Sequence, residues 1–204
     1  MRQELCLCAE IAQCRALMQI RTRVVVLMHH RERFLTTNTA RLAALTLPGS
    51  EIRIRGLQSK PFDPSGILED TRQPLLLYPS EEAVPLSPEY VRGLGRDVTL
   101  IVPDGSWRQA SKVAKREPFL KDVPHVTLPE DKISSYQLRR EPKESGLATF
   151  EAIARALGFL ESPGIRASLE GLFNLMVNRT MDSRRGIFPT GQIPGPRNPL
   201  PESK

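Results

Sequence analysis

The stretch Val98–Trp107, with the sequence VTLIVPDGSW, decides the fold. Its first five residues are apolar and mostly β-branched, which is the pattern of a strand buried on both faces of a parallel sheet. Proline lacks the N–H group that a sheet ladder uses, so we expect the strand to stop at Pro103. Asp104 or Ser106 then supplies an N-cap for a helix. A carboxylate, a hydroxyl and the chain's only tryptophan, Trp107, thus follow the carboxyl end of a strand, where open α/β sheets bind ligands.

The residues after this turn divide by helical periodicity into an apolar and a basic side. With about 100° per residue, the apolar side carries Trp107, Ala110, Val113 and Ala114, and the basic side carries Arg108, Lys112, Lys115 and Arg116. The pattern predicts one amphipathic helix. Its basic side is either a binding surface for an anionic partner or a solvated face. The turn itself is either a site or simply a capped turn with a core tryptophan.

Composition limits the class of protein. The chain has 204 residues, enough for one domain with a sizeable core. The net charge of +6 favours an anionic partner such as nucleic acid. No apolar run is long enough to span a bilayer, and the first residues lack a signal-peptide core. We therefore expect a cytoplasmic protein with no membrane association and no obligate protein partner.

The three cysteines, Cys6, Cys8 and Cys14, all lie near the N-terminus. Their odd number argues against a disulfide framework. Cys6-Leu7-Cys8 could be half of a zinc site, but a closed structural site needs four ligands. We expect reduced, partly buried thiols and no metal.

Further strands follow from apolar runs and alternation. Residues 23–28 form a second buried-strand run that ends in a cationic cluster at 29–33, and residues 51–55 alternate as a half-exposed strand does. Residues 74–80 form a third run, and 125–128 form a short strand. The run at 74–80 ends in Tyr78-Pro79-Ser80 much as the stretch at 98–107 ends its strand in Val102-Pro103-Asp104. If those two strands are neighbours, their ends form the two walls of one crevice.

Helices alternate with these strands. Thr37 or Asn38 is a candidate N-cap for a helix that reaches Leu45. Residues 147–157 keep helical spacing, with Glu151 and Arg155 as an i,i+4 pair, until Gly158 weakens or ends the helix. Ser162-Pro163 opens another helix. This alternation predicts an α/β fold, with a Rossmann-like, mainly parallel sheet and helices on both faces. We assign residues 1–182 to one domain with an N-terminal cysteine-containing segment at 1–20, and 183–204 to a Gly/Pro-rich tail.

Several motifs together resemble the DTW-domain family. Asp104-Gly105-Ser106-Trp107 resembles its D-x-T/S-W signature, and the residues at 37–42 resemble its N-T-x-R-L block. The strand ending at 76–80 is similar to its P-S strand. The segments at 138–142 and 147–152 resemble its L-R-x-x-P and L-S-T-x-E-A blocks. Cys6-Leu7-Cys8 matches its C-x-C, although no C-x-x-C precedes it here. Ala148 stands where serine is usual, and Ser106 where threonine is commoner.

The resemblance implies an activity. The family contains tRNA-uridine aminocarboxypropyltransferases, which transfer the 3-amino-3-carboxypropyl group of S-adenosylmethionine to uridine N3 in tRNA, and it is distantly related to the SPOUT methyltransferases. It therefore implies a transferase that binds S-adenosylmethionine and tRNA, with a SPOUT-like C-terminal trefoil knot. Two alternatives remain open: a SPOUT-like RNA methyltransferase that uses the same donor, and a non-catalytic RNA-binding module. The sequence has neither G-x-G-x-x-G nor G-x-x-x-x-G-K-S/T, which argues against a dinucleotide or nucleoside-triphosphate enzyme.

With the family match, three sets of site residues are expected. The catalytic set is Asp104, Ser106 and Trp107, with Asp104 orienting or accepting the N3 proton unless it is only an N-cap. The donor-binding set is Leu77, Tyr78, Pro79, Ser80, Trp107, Leu138, Pro142, Leu147 and Thr149, unless the leucines are plain core. The RNA-binding set is His30, Arg31, Arg108, Lys112, Lys115, Arg116, Arg139 and Arg140, in which Lys112 and Lys115 have a solvated helix face as the alternative.

Overall fold

The computed structural model describes residues 6–57, 59, 61–129 and 147–187. Its strands are β1 (Arg23–His29), β2 (Glu51–Arg55), β3 (Gln73–Leu77), β4 (Val84–Pro85), β5 (Val98–Asp104) and β6 (His125–Thr127). Its α-helices are α1 (Cys8–Leu17), α2 (Ala40–Thr46), α3 (Pro88–Arg92), α4 (Trp107–Ala110), α5 (Val113–Arg116), α6 (Thr149–Leu160) and α7 (Pro163–Arg184). Single 3₁₀ turns lie at Glu32–Phe34 and Pro118–Leu120.

The strands form one six-stranded sheet in the order β2-β1-β5-β3-β6-β4, and every strand pair is parallel. The α/β fold with a parallel sheet is therefore confirmed. The central strand β5 lies between β1 and β3 and is buried at all but one of its positions. A strand with neighbours on both sides and layers on both faces requires the continuous apolar run that the sequence shows.

Two hydrophobic clusters cover the two faces of the sheet. Val26 and Leu100 lie on the face packed by α1, α2, α6 and α7, where Phe150 and Phe173 are fully buried. Leu27 on the opposite face belongs to a smaller cluster that contains side chains of α5 and of the Pro118–Leu120 turn. Alternate residues of β1 thus feed alternate faces, as strand geometry requires.

The strand β5 continues past Pro103, so the prediction that it stops there is wrong. Pro103 pairs with Leu27 of β1, and Asp104 pairs with Met28. The pairing of β5 with β3 ends earlier, at Leu76 opposite Ile101. Pro103 therefore lies where β5 has a neighbour on one side only, and such edge positions tolerate a residue without an N–H group.

The prediction of one amphipathic helix after the turn is also wrong, because this segment forms two short helices, α4 and α5. The N–H of Lys112 bonds to the carbonyl of Gln109, three residues back, and the Ser111 hydroxyl donates to the carbonyl of Arg108. These contacts replace the i→i−4 ladder between the two short helices. Val113 is nevertheless buried, as the apolar side of the predicted helix requires.

The helix α6 continues through Gly158 to Leu160, although the sequence suggested that glycine weakens or ends it. A Cβ atom at Gly158 would lie 2.9 Å from Cδ of Arg166 on α7. The glycine therefore permits the close approach of the two helices. The i,i+4 pair of Glu151 and Arg155 is confirmed at 3.0 Å, and both of its residues are buried.

The predicted start of α7 is confirmed, since Ser162 is its N-cap and accepts a hydrogen bond from the N–H of Ile165. The helix ends at Arg184 and so includes the first two residues assigned to the tail. Residues 188–204 of that tail lie outside the described residues. Among the described residues, no helix is both long and apolar enough to cross a membrane.

Candidate active site at the ends of β1 and β5

The connections of β1 and β5 leave the sheet in opposite directions. The strand β1 leads through α2 to β2 on one side of the sheet, and β5 leads through α4 and α5 to β6 on the other. Ligands of open α/β sheets bind in the crevice outside the carboxyl ends of two such strands. The strands β3 and β5 are neighbours in the sheet, as the sequence suggested. The topological switch point, however, lies between β5 and β1.

Asp104, the last residue of β5, lies on the α2 and α6 side of the switch point and is 6% exposed. Its carboxylate accepts a hydrogen bond at 2.7 Å from Nδ2 of Asn38, a residue that precedes α2. The other carboxylate oxygen accepts a hydrogen bond from the hydroxyl of Thr149, the first residue of α6. One buried carboxylate thus joins a strand and the starts of two helices.

The segment before α2 strengthens this junction. Oδ1 of Asn38 accepts the N–H of Ala40 at 3.1 Å. The N-cap of α2 is Thr39, so the prediction of Thr37 or Asn38 as the N-cap is wrong. The hydroxyl of Thr39 accepts the N–H of Phe150 in the first turn of α6 at 3.2 Å. The sequence marked Asn38 only as an N-cap candidate, because its contact with Asp104 spans 66 residues and no local pattern signals it.

A second cluster lies on the α4 side of the switch point. The backbone N–H of Ser106 donates to Oε1 of Gln109 at 2.8 Å, which turns the amide NH₂ of Gln109 toward His29. That NH₂ lies 3.1 Å from Nδ1 of His29, the last residue of β1. Nδ1 is therefore an acceptor, and the proton of the neutral imidazole is on Nε2.

The surroundings of His29 favour this neutral form. Burial is the main cause that lowers the pKa of His29, and the electrostatic effect of the nearby His30 and Arg55 side chains lowers it further. Gly105 permits the close packing here, since a Cβ on it would lie 2.9 Å from Oε1 of Gln109 and 3.4 Å from Cβ of His29. The sequence-based site included His30 but missed His29 and Gln109.

The other predicted catalytic residues lie beside these clusters. Ser106 is the exposed N-cap of α4, and Trp107 is its half-buried first residue. The predicted RNA-binding residues that the structure describes follow the carboxyl ends of β1 and β5. Arg31, Arg108, Lys115 and Arg116 are exposed, and His30 and Lys112 are half-buried.

The predicted donor-binding residues are less concentrated. Leu77 is buried in the cluster under α6 and α7, whereas Tyr78 packs against the cluster on the opposite face. These two side chains therefore pack on opposite faces of the sheet. Pro79 is exposed, and Ser80 lies 2.7 Å from Nδ1 of His125 at the start of β6.

Part of the donor-binding and RNA-binding sets lies outside the described residues. These residues are Leu138, Arg139, Arg140 and Pro142. Leu147 is described and half-buried, two residues before Thr149. Of the predicted donor-binding residues in this part of the chain, the structure therefore describes only Leu147 and Thr149, at the start of α6.

The cysteine segment contacts α7, where the guanidinium of Arg179 donates to the carbonyl of Cys6. Cys14 is buried, which raises the pKa of its thiol, whereas Cys8 is exposed. A hydrogen bond between Cys6 and Cys8 lowers the pKa of Cys6. Within the described ranges, no three His, Cys, Asp or Glu side chains are grouped so that they could hold a metal ion.

The fold and the switch point define the class: a doubly wound, parallel α/β protein with polar side chains at the carboxyl ends of β1 and β5. Residues 1–181 match the DTW domain family. The chain belongs to this family.

Comparisons with known proteins agree with that membership. The chain is 31% identical over 189 residues to tRNA-uridine aminocarboxypropyltransferase 2 of Drosophila melanogaster, covering 87% of this chain and 74% of the fly protein. It is 28% identical over 163 residues to the Mus musculus protein of the same name, covering 78% of this chain and 54% of the mouse protein. The chain thus spans about half the length of the mouse relative.

The fold also resembles a solved structure. The SAM-dependent rRNA:acp-transferase Tsr3 from Vulcanisaeta distributa superposes with a TM-score of 0.51, covering 82% of this chain and 80% of that chain. The sequence identity of 19% limits this likeness to the fold.

Proposed function

We propose that this protein transfers the 3-amino-3-carboxypropyl group of S-adenosylmethionine to N3 of a uridine in tRNA. One observation carries the proposal: Asp104, Asn38 and Thr149 come from three family motifs far apart in sequence, and hydrogen bonds join them at one carboxylate. The family membership and the names of the fly and mouse relatives support the same reaction.

The residues at the start of α6 fit an amino-acid donor. The N-cap residue Ala148 supplies no side-chain acceptor to the first turn of the helix, in which the N–H of Phe150 already donates to the hydroxyl of Thr39. Backbone N–H groups at a helix N-terminus bind carboxylates, and the helix dipole favours negative charge there. The hydroxyl of Thr149 already donates to Asp104, so the contribution of Thr149 to donor binding is its backbone N–H. Leu147 adds apolar surface next to it.

S-adenosylmethionine, when bound, supplies an activated carbon next to its sulfonium. The task of the protein is then mainly to hold the uridine in line with one carbon–sulfur bond, and orientation can contribute several kcal/mol. Asp104 is suited to orient the N3–H and to accept its proton. The hydrogen bonds from Asn38 and Thr149 fix the direction of this carboxylate.

The exposed basic residues that follow β1 and β5 would hold the phosphates of the RNA. Phosphate contacts position a nucleic acid without reading its sequence. N3 of a paired uridine is engaged with its partner base, so the target uridine must be unpaired or flipped. The proposal therefore has the target uridine bind at the switch point and the neighbouring phosphates bind to Arg31, Arg108, Lys112, Lys115 and Arg116.

The proposal extends to a SPOUT-like trefoil knot around the donor. Support comes from the strand order, because β6 is inserted between the consecutive strands β3 and β4. The β3–β4 connection must therefore pass across β6, and Ser80 in that connection contacts His125 of β6. Such crossings are unusual in open sheets.

The test uses purified protein, tRNA and S-adenosylmethionine labelled either in its carboxyl carbon or in its methyl carbon. We expect carboxyl label in the tRNA and a nucleoside with the mass of aminocarboxypropyluridine. Methyl label alone would identify a methyltransferase. RNA binding without transfer of either label would identify a non-catalytic binding module.

A further inference from the structure

The 3₁₀ turn Glu32–Phe34 presents an aromatic ring to solvent beside the switch point. Phe34 is 72% exposed, and the guanidinium carbon of Arg33 lies 4.6 Å from the centroid of its ring. Two further exposed arginines, Arg31 and Arg41, lie on either side in sequence. An exposed apolar residue alone requires no explanation. An exposed ring under a guanidinium within a basic segment is a surface suited to nucleic-acid bases.

The turn is held in place by its own hydrogen bonds. The guanidinium of Arg41 on α2 donates to the carbonyl of Arg33. The N–H of Leu35 donates to the carbonyl of Glu32 at 3.0 Å, and Glu32 is itself buried. The ring is therefore presented by an ordered turn, which lowers the entropic cost of binding.

The same segment is tied to the candidate site. The N–H of Asn38 donates to the carbonyl of Leu35 at 3.1 Å, and the side chain of Asn38 donates to Asp104. The ring of Phe34 thus lies four residues from a side chain that contacts the central carboxylate. A nucleotide next to the target uridine would be within reach of this ring.

We propose that Phe34 and Arg33 form a stacking platform for an unpaired base that flanks the target uridine. This proposal rests on the proposed function, because it requires an RNA substrate. The aromatic face supplies stacking to any base, and the arginines supply contacts with the adjoining phosphates. Arg41 acts through the turn: it holds the carbonyl of Arg33 and so positions the platform.

The experiment compares Phe34→Ala, Phe34→Leu and Phe34→Tyr in affinity for an unpaired RNA that contains uridine. Stacking on one aromatic side chain corresponds to about tenfold or more in affinity, so we expect that loss in the alanine and leucine variants. The leucine variant keeps apolar surface without an aromatic face, and the tyrosine variant, which keeps the face, should bind as the wild type does. The thermal shift that S-adenosylmethionine produces should remain in all three.

Leu17→Ala is the matched control. Leu17 is 64% exposed at the end of α1, before the amino end of β1 and thus on the other edge of the sheet, so its removal should not change RNA affinity. A fully paired RNA of the same sequence should bind the wild type and Phe34→Ala equally, since its bases cannot stack on the ring.

Two failures can be told apart. If the wild type binds and modifies RNA but Phe34→Ala has the same affinity for unpaired RNA, the platform is refuted and the proposed function stands. If the wild type neither binds nor modifies RNA, the proposed function is refuted, and the platform is refuted with it. A leucine variant equal to the wild type would also overturn the stacking role.

Discussion

Asp104 explains why three separated motifs belong together. A buried carboxylate is costly unless its oxygens accept hydrogen bonds, and here Asn38 and Thr149 supply them. Each of these residues looks ordinary within its own stretch of sequence. Thr149 resembles a first-turn residue and Asn38 an N-cap, and only the fold brings them to β5. The carboxylate at the end of the strand was predictable from the sequence, and its partners were not.

The variant Asp104→Asn separates the chemical role of Asp104 from its structural one. Hydrogen bonds to a charged group are stronger than neutral ones, so we expect a loss of about 1 kcal/mol in the free energy of unfolding. The thermal shift with S-adenosylmethionine should persist. If the carboxylate takes the N3 proton, turnover should fall by about 100-fold or more. Denaturation and single-turnover transfer assays measure these effects.

Thr149→Val is the control for this experiment. It removes one hydrogen bond to the carboxylate but leaves the charge of Asp104. If Asp104 acts on the uridine, Asp104→Asn should lose much more turnover than Thr149→Val. Equal losses in the two variants would leave Asp104 with a positioning role only, and unchanged turnover in Asp104→Asn would remove it from the reaction.

His29 predicts a dependence of stability on pH. Its pKa is lowered in the folded protein, whereas the unfolded chain has the ordinary value of about 6.5. Below that pH the unfolded chain binds the proton more readily, so the stability contributed by neutral His29 is fully present above about pH 6.5 and is lost as the pH falls. The groups that set this shift besides burial are His30, Arg55 and Arg31, with Glu32 opposing them.

The measurement is the free energy of unfolding against pH for the wild type and His29→Asn. Between neutral and mildly acidic pH, we expect the free energy of unfolding to decline less in the variant than in the wild type. The loss of packing lowers stability by the same amount at every pH, so the change in slope reports His29 itself. Parallel curves for the two proteins would contradict the expectation.

At the scale of elements, the helix pair α6 and α7 shows what a glycine does. Gly158 reads in sequence as a weak point, yet α6 continues through it and Arg166 packs against it. Gly171 in α7 has the same intrinsic cost to the helix, but a Cβ on it would meet nothing within 4 Å. The two glycines therefore make a matched pair.

Substitution by alanine should change the free energy of unfolding in opposite directions at the two positions. In an exposed helix interior, Gly→Ala adds about 1 kcal/mol, so Gly171→Ala should raise the free energy of unfolding. At Gly158 the new Cβ would lie 3.0 Å from Cβ of Arg166, an atom close to the α7 backbone that cannot move away freely. Gly158→Ala should therefore lower the free energy of unfolding, as measured by denaturant titration. Equal stabilisation by both changes would show that the α6–α7 contact is loose.

The elements also show how far the sequence predicts the fold. Apolar runs placed β1, β3 and β5, because a fully buried strand must be apolar throughout. The predicted end of β5 at Pro103 was wrong, and α6 does not end at Gly158, because each boundary depends on a neighbour: the early end of β3 and the side chain of Arg166. The order of the strands was beyond local patterns, since it is set by packing between distant segments.

For the whole molecule, the distribution of charge decides how RNA would bind. The net charge is +6, and many exposed basic side chains follow the carboxyl ends of β1 and β5. This group comprises Arg31, Arg33, Arg41, Arg108, Lys115 and Arg116, with the half-buried Lys112 beside them. Arg92 and Arg96 are exposed on the opposite edge, before the amino end of β5. Exposed basic residues thus lie at both the carboxyl edge and the amino edge of the sheet, so the two groups can be compared.

Charge reversal at each edge tests which one binds RNA. Lys112→Glu with Lys115→Glu should weaken RNA binding and flatten its dependence on salt. For a single strand, the log–log slope should decrease by about 0.7 for each phosphate that the protein no longer neutralises. Arg92→Glu with Arg96→Glu changes the net charge of the protein by the same amount. Because Arg92 and Arg96 lie away from the switch point, that variant should keep the wild-type slope.

Binding titrations over a range of salt concentrations measure both slopes on the same unpaired RNA. A long-range effect of net charge alone would weaken binding equally in the two double variants, because both have the same reduction in positive charge. Local phosphate binding at the carboxyl edge would change only the Lys112 and Lys115 variant. An unchanged slope in that variant would make the basic side of α4 and α5 a solvated surface and would move the RNA path to the arginines that follow β1.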